Sequence, residues 1–89
     1  MDLSEAATLS DLVSREPDNY QARLDLAVLL NGTGQKSEAA DHLLYVIRKQ
    51  RDWNEEAARK QLVKFFEAWG PRDEATLQGR RKLSSILFS

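Results

Sequence analysis

Residues 17–51 read PDNYQARLDLAVLLNGTGQKSEAADHLLYVIRKQR, and this stretch decides the fold. It holds two apolar stripes with the helical period of about 3.6 residues. Gly32 and Gly34 separate the stripes, and either glycine can end the first helix by adopting a positive φ. The first helix is expected to begin after Pro17, with Asp18 as its N-cap. The stretch therefore predicts two antiparallel helices joined by a short loop.

The second helix of this pair is expected between an acidic start and a basic end. It is predicted to begin near Ser37-Glu38, because an acidic side chain suits the N-terminal end of the helix dipole. It is predicted to end in the run Arg48-Lys49-Gln50-Arg51, whose basic side chains suit the C-terminal end.

The flanking segments carry the same helical period. Before Pro17, a helix is predicted to run to about Arg15, and Asp2 and Glu5 have the spacing of a capping box. After residue 51, a fourth helix is predicted to begin with Asp52 and Glu55 as its capping box. The apolar stripe of that helix is Ala58, Leu62, Phe65, Phe66 and Trp69.

The fourth helix is expected to end at Gly70-Pro71, and a fifth helix is expected to begin near Asp73. No segment shows sustained alternation of apolar and polar residues, so strands are not expected. The sequence therefore predicts an all-α fold of about five helices, arranged as a run of antiparallel hairpins.

Composition removes several classes of protein and of site. The 89 residues are 42% hydrophobic and 30% charged, which is typical of a globular chain. No apolar run approaches the roughly 18 residues of a membrane span, and the first residues do not resemble a signal peptide. The chain has no cysteine and a single histidine, His42, so disulfides, thiol chemistry and a multi-histidine metal site are excluded.

The formal net charge of −1 conceals two oppositely charged parts. Residues 1–45 contain eight acidic and three basic side chains, a net charge of −5. Residues 46–89 contain six acidic and ten basic side chains, a net charge of +4. The asymmetry indicates either complementarity within the molecule or a basic surface for a partner.

Residues 17–51 resemble one tetratricopeptide repeat (TPR), a helix–turn–helix unit of about 34 residues. The matching positions are Pro17, Leu26-Ala27, Gly34, Glu38-Ala39, Leu43 and Val46. The small Ala27 and Ala39 suit the closest approach of the paired helices. Two positions depart from the pattern, since Arg23 stands where tryptophan is common and Arg51 where the next proline is common.

A second hairpin repeats this plan about 36 residues later. Ala22 precedes Ala58, Gly34 precedes Gly70, and Ala39 precedes Ala75 by that offset. The helix before Pro17 fits the second half of a preceding repeat whose first half is missing. We therefore expect a half repeat over residues 1–16, a TPR repeat over 17–51 and a divergent C-terminal repeat over 52–89.

The runs DWNEEAARKQLVKFFEAW, at residues 52–69, and RRKLSSILF, at residues 80–88, support a more specific resemblance. They are similar to the C-terminal TPR module of bacterial thioredoxin-like co-chaperones, the chaperedoxins. The resemblance implies an excised fragment of a longer cytoplasmic protein with a thioredoxin fold. It also implies non-catalytic binding of client polypeptides, of a chaperonin or of the missing thioredoxin domain. No catalytic residue is carried over, because the redox positions of that family lie outside this chain.

The first candidate partner surface is the inner face of the helix after Pro17. Many TPR modules place lysine and asparagine there to clamp a terminal carboxylate. Here Leu24 and Val28 hold those positions, so the clamp is absent. An apolar peptide groove built from Tyr20, Leu24, Val28 and Asn31 is one interpretation, and packing of Leu24 and Val28 against a neighbouring helix is the other.

The second candidate surface is the C-terminal helix. A partner could bind the basic run Arg80-Arg81-Lys82 together with Leu87 and Phe88. Alternatively, Leu83 and Ile86 close the end of the stack, and the bases form a solvated face. Trp53 is expected to pack from the loop against the fourth helix.

Other functions are disfavoured. The basic runs lie on different helices with interleaved acids, which argues against nucleic-acid binding. Neither a membrane partner, a cofactor, a metal site nor an enzymatic activity is predicted. The alternatives to client or chaperonin binding are a scaffold that orients the thioredoxin domain or self-associates, and a free-standing TPR adaptor. A stack that lacks a preceding helix exposes its first helix, so this helix is expected to be loosely held or to pair with a second copy.

Overall fold

The computed structural model describes the backbone of residues 3–88 and the side chains of residues 5–88. These residues form five helices: α1 (Leu3–Arg15), α2 (Tyr20–Gly32), α3 (Lys36–Lys49), α4 (Ala57–Trp69) and α5 (Glu74–Leu87). No strand occurs between residues 3 and 88. The predicted all-α class and the five helices are confirmed. The proposed capping residue Asp2 lies outside the described residues.

The observed N-caps of α2 and α5 lie at, or next to, the residues that the sequence predicts as caps. Asn19, not Asp18, caps α2, since its Oδ1 accepts a hydrogen bond from the backbone N–H of Ala22 at 3.1 Å. The Asp18 carboxylate instead accepts from the hydroxyl of Tyr45 at 2.7 Å. Asp73 caps α5 as expected, because its side chain accepts from the N–H of Ala75 at 2.8 Å.

The start of α4 differs from the prediction. The capping box Asp52–Glu55 does not form, and α4 begins only at Ala57. Asn54, Glu55 and Glu56 have φ angles of 48°, 56° and 61°, which are left-handed and uncommon for residues other than glycine. Residues 54–56 form this left-handed turn, so they are not available for the first turn of the helix. The ring of Trp53, just before it, packs against the core and meets Tyr20 of α2 edge to face at 5.9 Å, a contact with α2 that the sequence does not predict.

The helices form two layers in which equivalent helices run in the same direction. Tyr20 meets Trp53 near the N-terminal ends of α2 and α4, and Asn31 meets Trp69 at their C-terminal ends. Helices α2 and α4 are therefore parallel neighbours in one layer.

Helices α3 and α5 show the same relation in the other layer. The ammonium of Lys36, at the start of α3, donates to the cap residue Asp73 at 2.7 Å, and this bond lowers the pKa of that carboxyl. Further along, Lys82 of α5 donates to Asp41 of α3 at 3.0 Å. Helix α1 packs mainly on α2.

A single apolar core joins the layers, and α3 lies at its centre. This helix packs against α2, α4 and α5. Among the large apolar side chains that solvent scarcely reaches are Leu43, Val46, Ile47 and Leu62. Three of these four belong to α3, which gives most of one face to the core. Phe65 and Phe66 are buried as predicted, with Trp69 packed beside them.

The 36-residue offset holds in the structure. Ala22 and Ala58 are both buried, as are Leu26 and Leu62. Gly34 and Gly70 adopt positive φ angles of 85° and 97°. The offset also relates Leu30 to Phe66 and Leu43 to Gly79. The first hairpin thus has a leucine at both positions, whereas the second has the large ring of Phe66 at one and Gly79 at the other.

Candidate partner-binding surfaces

The four residues predicted on the inner face of α2 do not form a free groove. The ring of Tyr20 packs against Trp53, and the side-chain oxygen of Asn31 accepts a hydrogen bond from the indole N–H of Trp69 at 2.7 Å. Leu24 is half-buried against the core. Only Val28, which is 45% exposed, presents a large apolar side chain to solvent. Tyr20 and Asn31 thus join α2 to the second hairpin.

An open groove lies beside Val28, between α1 and α2, and the sequence did not indicate it. Its volume is about 500 Å³, and it is lined by Glu5, Thr8, Leu9, Asp25, Val28 and Leu29. We refer to it as the α1–α2 groove. Its floor is apolar, and Glu5 and Asp25 place one carboxylate on each wall. Asp25 accepts a hydrogen bond from the neutral side chain of Gln21 at 2.9 Å.

The three basic side chains of residues 80–82 point in different directions. The guanidinium of Arg80 lies 5.8 Å from the ring centroid of Phe66. Lys82 is paired with Asp41 of α3. Arg81 is exposed, and no acidic side chain within the described part of the chain pairs with it. Successive helical residues point about 100° apart, so the run is not one basic patch.

An exposed stripe does run along α5. Leu87 is half-buried, whereas Phe88 is 85% exposed. Leu77, at 51%, is the exposed large apolar residue within α5, and Phe88 is the C-terminal cap residue of that helix. Residues 77, 81, 84 and 88 fall on one helical face because they are spaced by four, three and four. We call Leu77, Arg81, Ser84 and Phe88 the α5 stripe. Leu77 precedes Phe88 by eleven residues, a spacing that places both on one helical face, and this signal is present in the sequence but was not used.

Leu83 and Ile86, on the opposite side of α5, pack against the core. The sequence interpretation in which these two residues close the end of the stack is therefore correct. It does not compete with partner binding, because the α5 stripe lies on a different face of the same helix.

Arg23 explains how the stack tolerates the absence of the common tryptophan. Its guanidinium lies 3.5 Å from the ring centroid of Tyr45, where it stacks as a planar cation. It also donates to the carbonyl of Pro17 at 2.7 Å and to Nδ1 of His42 at 3.1 Å. One side chain thereby connects the loop before α2 with two residues of α3.

The contact with Arg23 defines the state of His42. An arginine can only donate, so Nδ1 of His42 accepts, and the ring proton is on Nε2. Burial and the nearby Arg23 charge hold the pKa of His42 below its ordinary value, although Glu38 and Asp41 act in the opposite direction. The folded protein therefore favours the neutral ring.

We expect stability to fall on mild acidification because of His42. Between the lowered pKa and the ordinary value of about 6.5, the unfolded chain binds a proton that the folded chain does not. The contribution is complete above about pH 6.5 and is lost as the pH falls through the folded-state pKa. Urea titrations from pH 7.5 to 5 measure it as a difference between wild type and His42→Asn, which keeps an acceptor. A constant difference across that range would contradict this account.

Among the described residues, no three side chains of histidine, aspartate, glutamate or cysteine are grouped so that they could hold a metal ion. Within residues 5–88, Oγ1 of Thr76 is a buried side-chain polar atom without a hydrogen bond, and it lies within the core rather than in a cleft. Over residues 3–88, no helix is long and apolar enough to cross a membrane.

Comparison with known proteins gives one result for the whole chain. The family model described as Tetratricopeptide repeat matches residues 1–88. Neither the curated proteins nor the solved structures gave a significant match. TPR domains generally mediate protein–protein interaction and are not a catalytic fold. Since the match spans almost every residue and the helices stack in parallel pairs, the chain belongs to the tetratricopeptide repeat family.

Proposed function

We propose that this protein is the non-catalytic binding module of a cytoplasmic, thioredoxin-like co-chaperone, and that it binds client polypeptides or a chaperonin through the α5 stripe. The resemblance of residues 52–69 and 80–88 to chaperedoxins supports the co-chaperone context. The observation that carries the binding surface is the 85% exposure of Phe88 on the same face as Leu77.

The α5 stripe has the composition of a protein-binding surface. Aromatic and arginine side chains contribute most of the binding energy at many interfaces, and the stripe offers both in Phe88 and Arg81. Arg81 has no acidic partner among the described residues, so a partner carboxylate can pair with it without breaking an existing ion pair. The surface therefore suits a partner segment that is apolar and acidic.

The domain organisation is part of the same proposal. Residues 1–16, 17–51 and 52–89 are a half repeat, a repeat and a divergent C-terminal repeat of a longer protein with a thioredoxin domain. The equivalent burial at positions 36 residues apart supports the two complete units. Four apolar residues on one face of α1 match apolar residues of α3 that lie 34 positions later, which supports the half repeat: they are Ala6, Leu9, Leu12 and Val13, matched to Ala40, Leu43, Val46 and Ile47.

The test compares paired substitutions at exposed positions. In Leu77→Ser/Phe88→Ser, we expect affinity for a chaperonin or for an unfolded client to fall at least tenfold, about 1.4 kcal/mol, because the apolar anchors are lost. The melting temperature should change little, since both side chains are exposed in the free protein. Surface plasmon resonance with immobilised partner gives the affinity, and circular dichroism gives the melt.

Val28→Ser is the matched control, because Val28 is 45% exposed but lies on α2. Unchanged binding in the α5 variant combined with reduced binding in Val28→Ser would place the site on α2 instead. Binding that requires the thioredoxin domain in the same chain would favour the scaffold function.

A further inference from the structure

The α1–α2 groove corresponds to the position that α2 occupies on α3. Four apolar residues on one face of α1 correspond to four of α3 at an offset of 34 residues: Ala6 to Ala40, Leu9 to Leu43, Leu12 to Val46 and Val13 to Ile47. Helix α3 is covered by α2, and Leu43 has no exposed surface. Leu9, its counterpart in α1, is only half-buried and faces the groove. The groove therefore lies where a helix equivalent to α2 would pack on α1.

The side chains in the groove specify the chemistry of its occupant. Position 39 of α3 holds an alanine with no exposed surface, whereas the corresponding position of α1 holds the exposed Glu5. Asp25 adds a second carboxylate, and Val28 adds an exposed apolar side chain. An apolar helix alone would leave both carboxylates without a cationic partner. The groove suits a helix that presents an apolar side chain and, about one turn away, an arginine or lysine.

The α5 stripe has that composition. Leu77 and Arg81 are one helical turn apart, about 6 Å along the axis. Val28 and Asp25 are three residues apart on α2, a similar separation. The large hydrophobic side chains that are exposed in the described part of the chain are Val28, Leu77 and Phe88, so they all belong to these two surfaces. The surfaces also belong to the acidic and basic parts of the sequence, respectively.

We propose that the α1–α2 groove binds the α5 stripe of a second copy of this chain, with Leu77 against Val28 and Arg81 paired with Asp25. The proposal rests on the α5 stripe of the proposed function, but it requires no client or chaperonin. The two surfaces are different, so the contact is head to tail, and each bound pair keeps one free groove and one free stripe. Because the proposed contact joins only two pairs of side chains, association is expected only at high protein concentration.

The experiment is sedimentation velocity of the purified protein between about 10 μM and 1 mM. The wild type should show a weight-average sedimentation coefficient that rises with concentration and falls with added salt, because a charged pair is screened. Asp25→Lys and Arg81→Glu should each remain monomeric, and the double swap Asp25→Lys/Arg81→Glu should associate again. Glu67→Lys and Lys64→Glu on α4 are matched charge reversals that should behave as wild type.

A mixture of the two single variants is the sharpest test. Asp25→Lys keeps an intact stripe, and Arg81→Glu keeps an intact groove. Mixed together, they should associate as the wild type does, because the intact stripe of Asp25→Lys fits the intact groove of Arg81→Glu, and the charge-reversed groove of the first fits the charge-reversed stripe of the second. A monomeric mixture, or a double swap that does not associate, would overturn the proposal. So would association that survives both single reversals.

The two proposals fail in different ways. A wild-type protein that is monomeric at 1 mM but binds client through the α5 stripe would overturn only the self-association. A protein that associates as described but binds neither client nor chaperonin would overturn only the proposed function. Circular dichroism melts of each variant confirm that the fold is retained.

Discussion

Gly79→Ala is expected to lower the free energy of unfolding by about 1–2 kcal/mol, although alanine is the better helix former. A Cβ atom at this position of α5 would stand 2.6 Å from Cε1 and 2.9 Å from Cζ of Phe66. Real Cβ contacts are almost never so short, so the ring must move. Phe66 is buried and packs edge to face against Trp69 at 6.1 Å, which leaves it little room.

The two opposing effects can be compared in size. Replacing a glycine within a helix by alanine gains at most about 1 kcal/mol from helix propensity. Forcing an additional group into a closely packed core costs about 1–3 kcal/mol. The packing cost is the larger of the two because the clash involves two atoms of a buried aromatic ring. Gly32→Ala, at an exposed position in the last turn of α2, is the control that reports helix propensity alone.

A double-mutant cycle with Phe66→Leu isolates the contact. Phe66→Leu alone should destabilise by about 1–2 kcal/mol, because it leaves a cavity beside Gly79. In Phe66→Leu/Gly79→Ala the smaller side chain makes room for the methyl group, so the loss should be at least 1 kcal/mol less than the sum of the two single losses. Urea denaturation of the four proteins gives these free energies. Additive effects would mean that Phe66 and Gly79 are not coupled.

Leu43→Ala is expected to lower the free energy of unfolding by about 3 kcal/mol or more. Leu43 has no exposed surface and lies on α3, the helix that packs against three others. Its truncation leaves a cavity that no single neighbouring helix can close. A loss of this size is a large part of the total stability of a domain of this length, so partial unfolding at room temperature is expected.

The same substitution at Leu77 provides the control. Leu77→Ala removes the same atoms from the following hairpin, but the side chain is 51% exposed. We expect a loss below about 1 kcal/mol, since much of the side chain is already in water. Equal losses at the two positions, measured by urea denaturation, would show that Leu43 is not part of a closely packed core.

Local signals in the sequence were sufficient for the helices and for most of their ends. Gly34, Gly70 and Asp73 behave as their residue types suggest, because each acts within its own turn. The start of α4 was not predictable, since nothing in Glu55 or Glu56 indicates a left-handed conformation. Adjacent Asp18 and Asn19 are both good caps, and Tyr45, 27 residues away, engages the side chain of Asp18.

The candidate surfaces were less predictable than the helices because they depend on tertiary contacts. Tyr20 and Asn31 have the positions of groove residues, but Trp53 and Trp69 come from the next hairpin to contact them. The sequence interpretation assigns Phe88 to a partner surface, and its side chain is exposed. Leu77 was missed because an isolated leucine in an amphipathic helix is ordinarily assigned to the core.

The central place of α3 has a consequence for how the molecule loses its structure. In a long repeat protein each unit contacts only its neighbours, and one end can unfold while the other remains folded. Here a short loop connects α3 to α2 in the first hairpin, and α3 also packs against both helices of the second hairpin, α4 and α5. Removing the second hairpin therefore exposes a face of α3, and removing the first takes away the surface on which α4 and α5 pack. The proposed repeat boundary at residue 51 is therefore not expected to separate two units that melt independently.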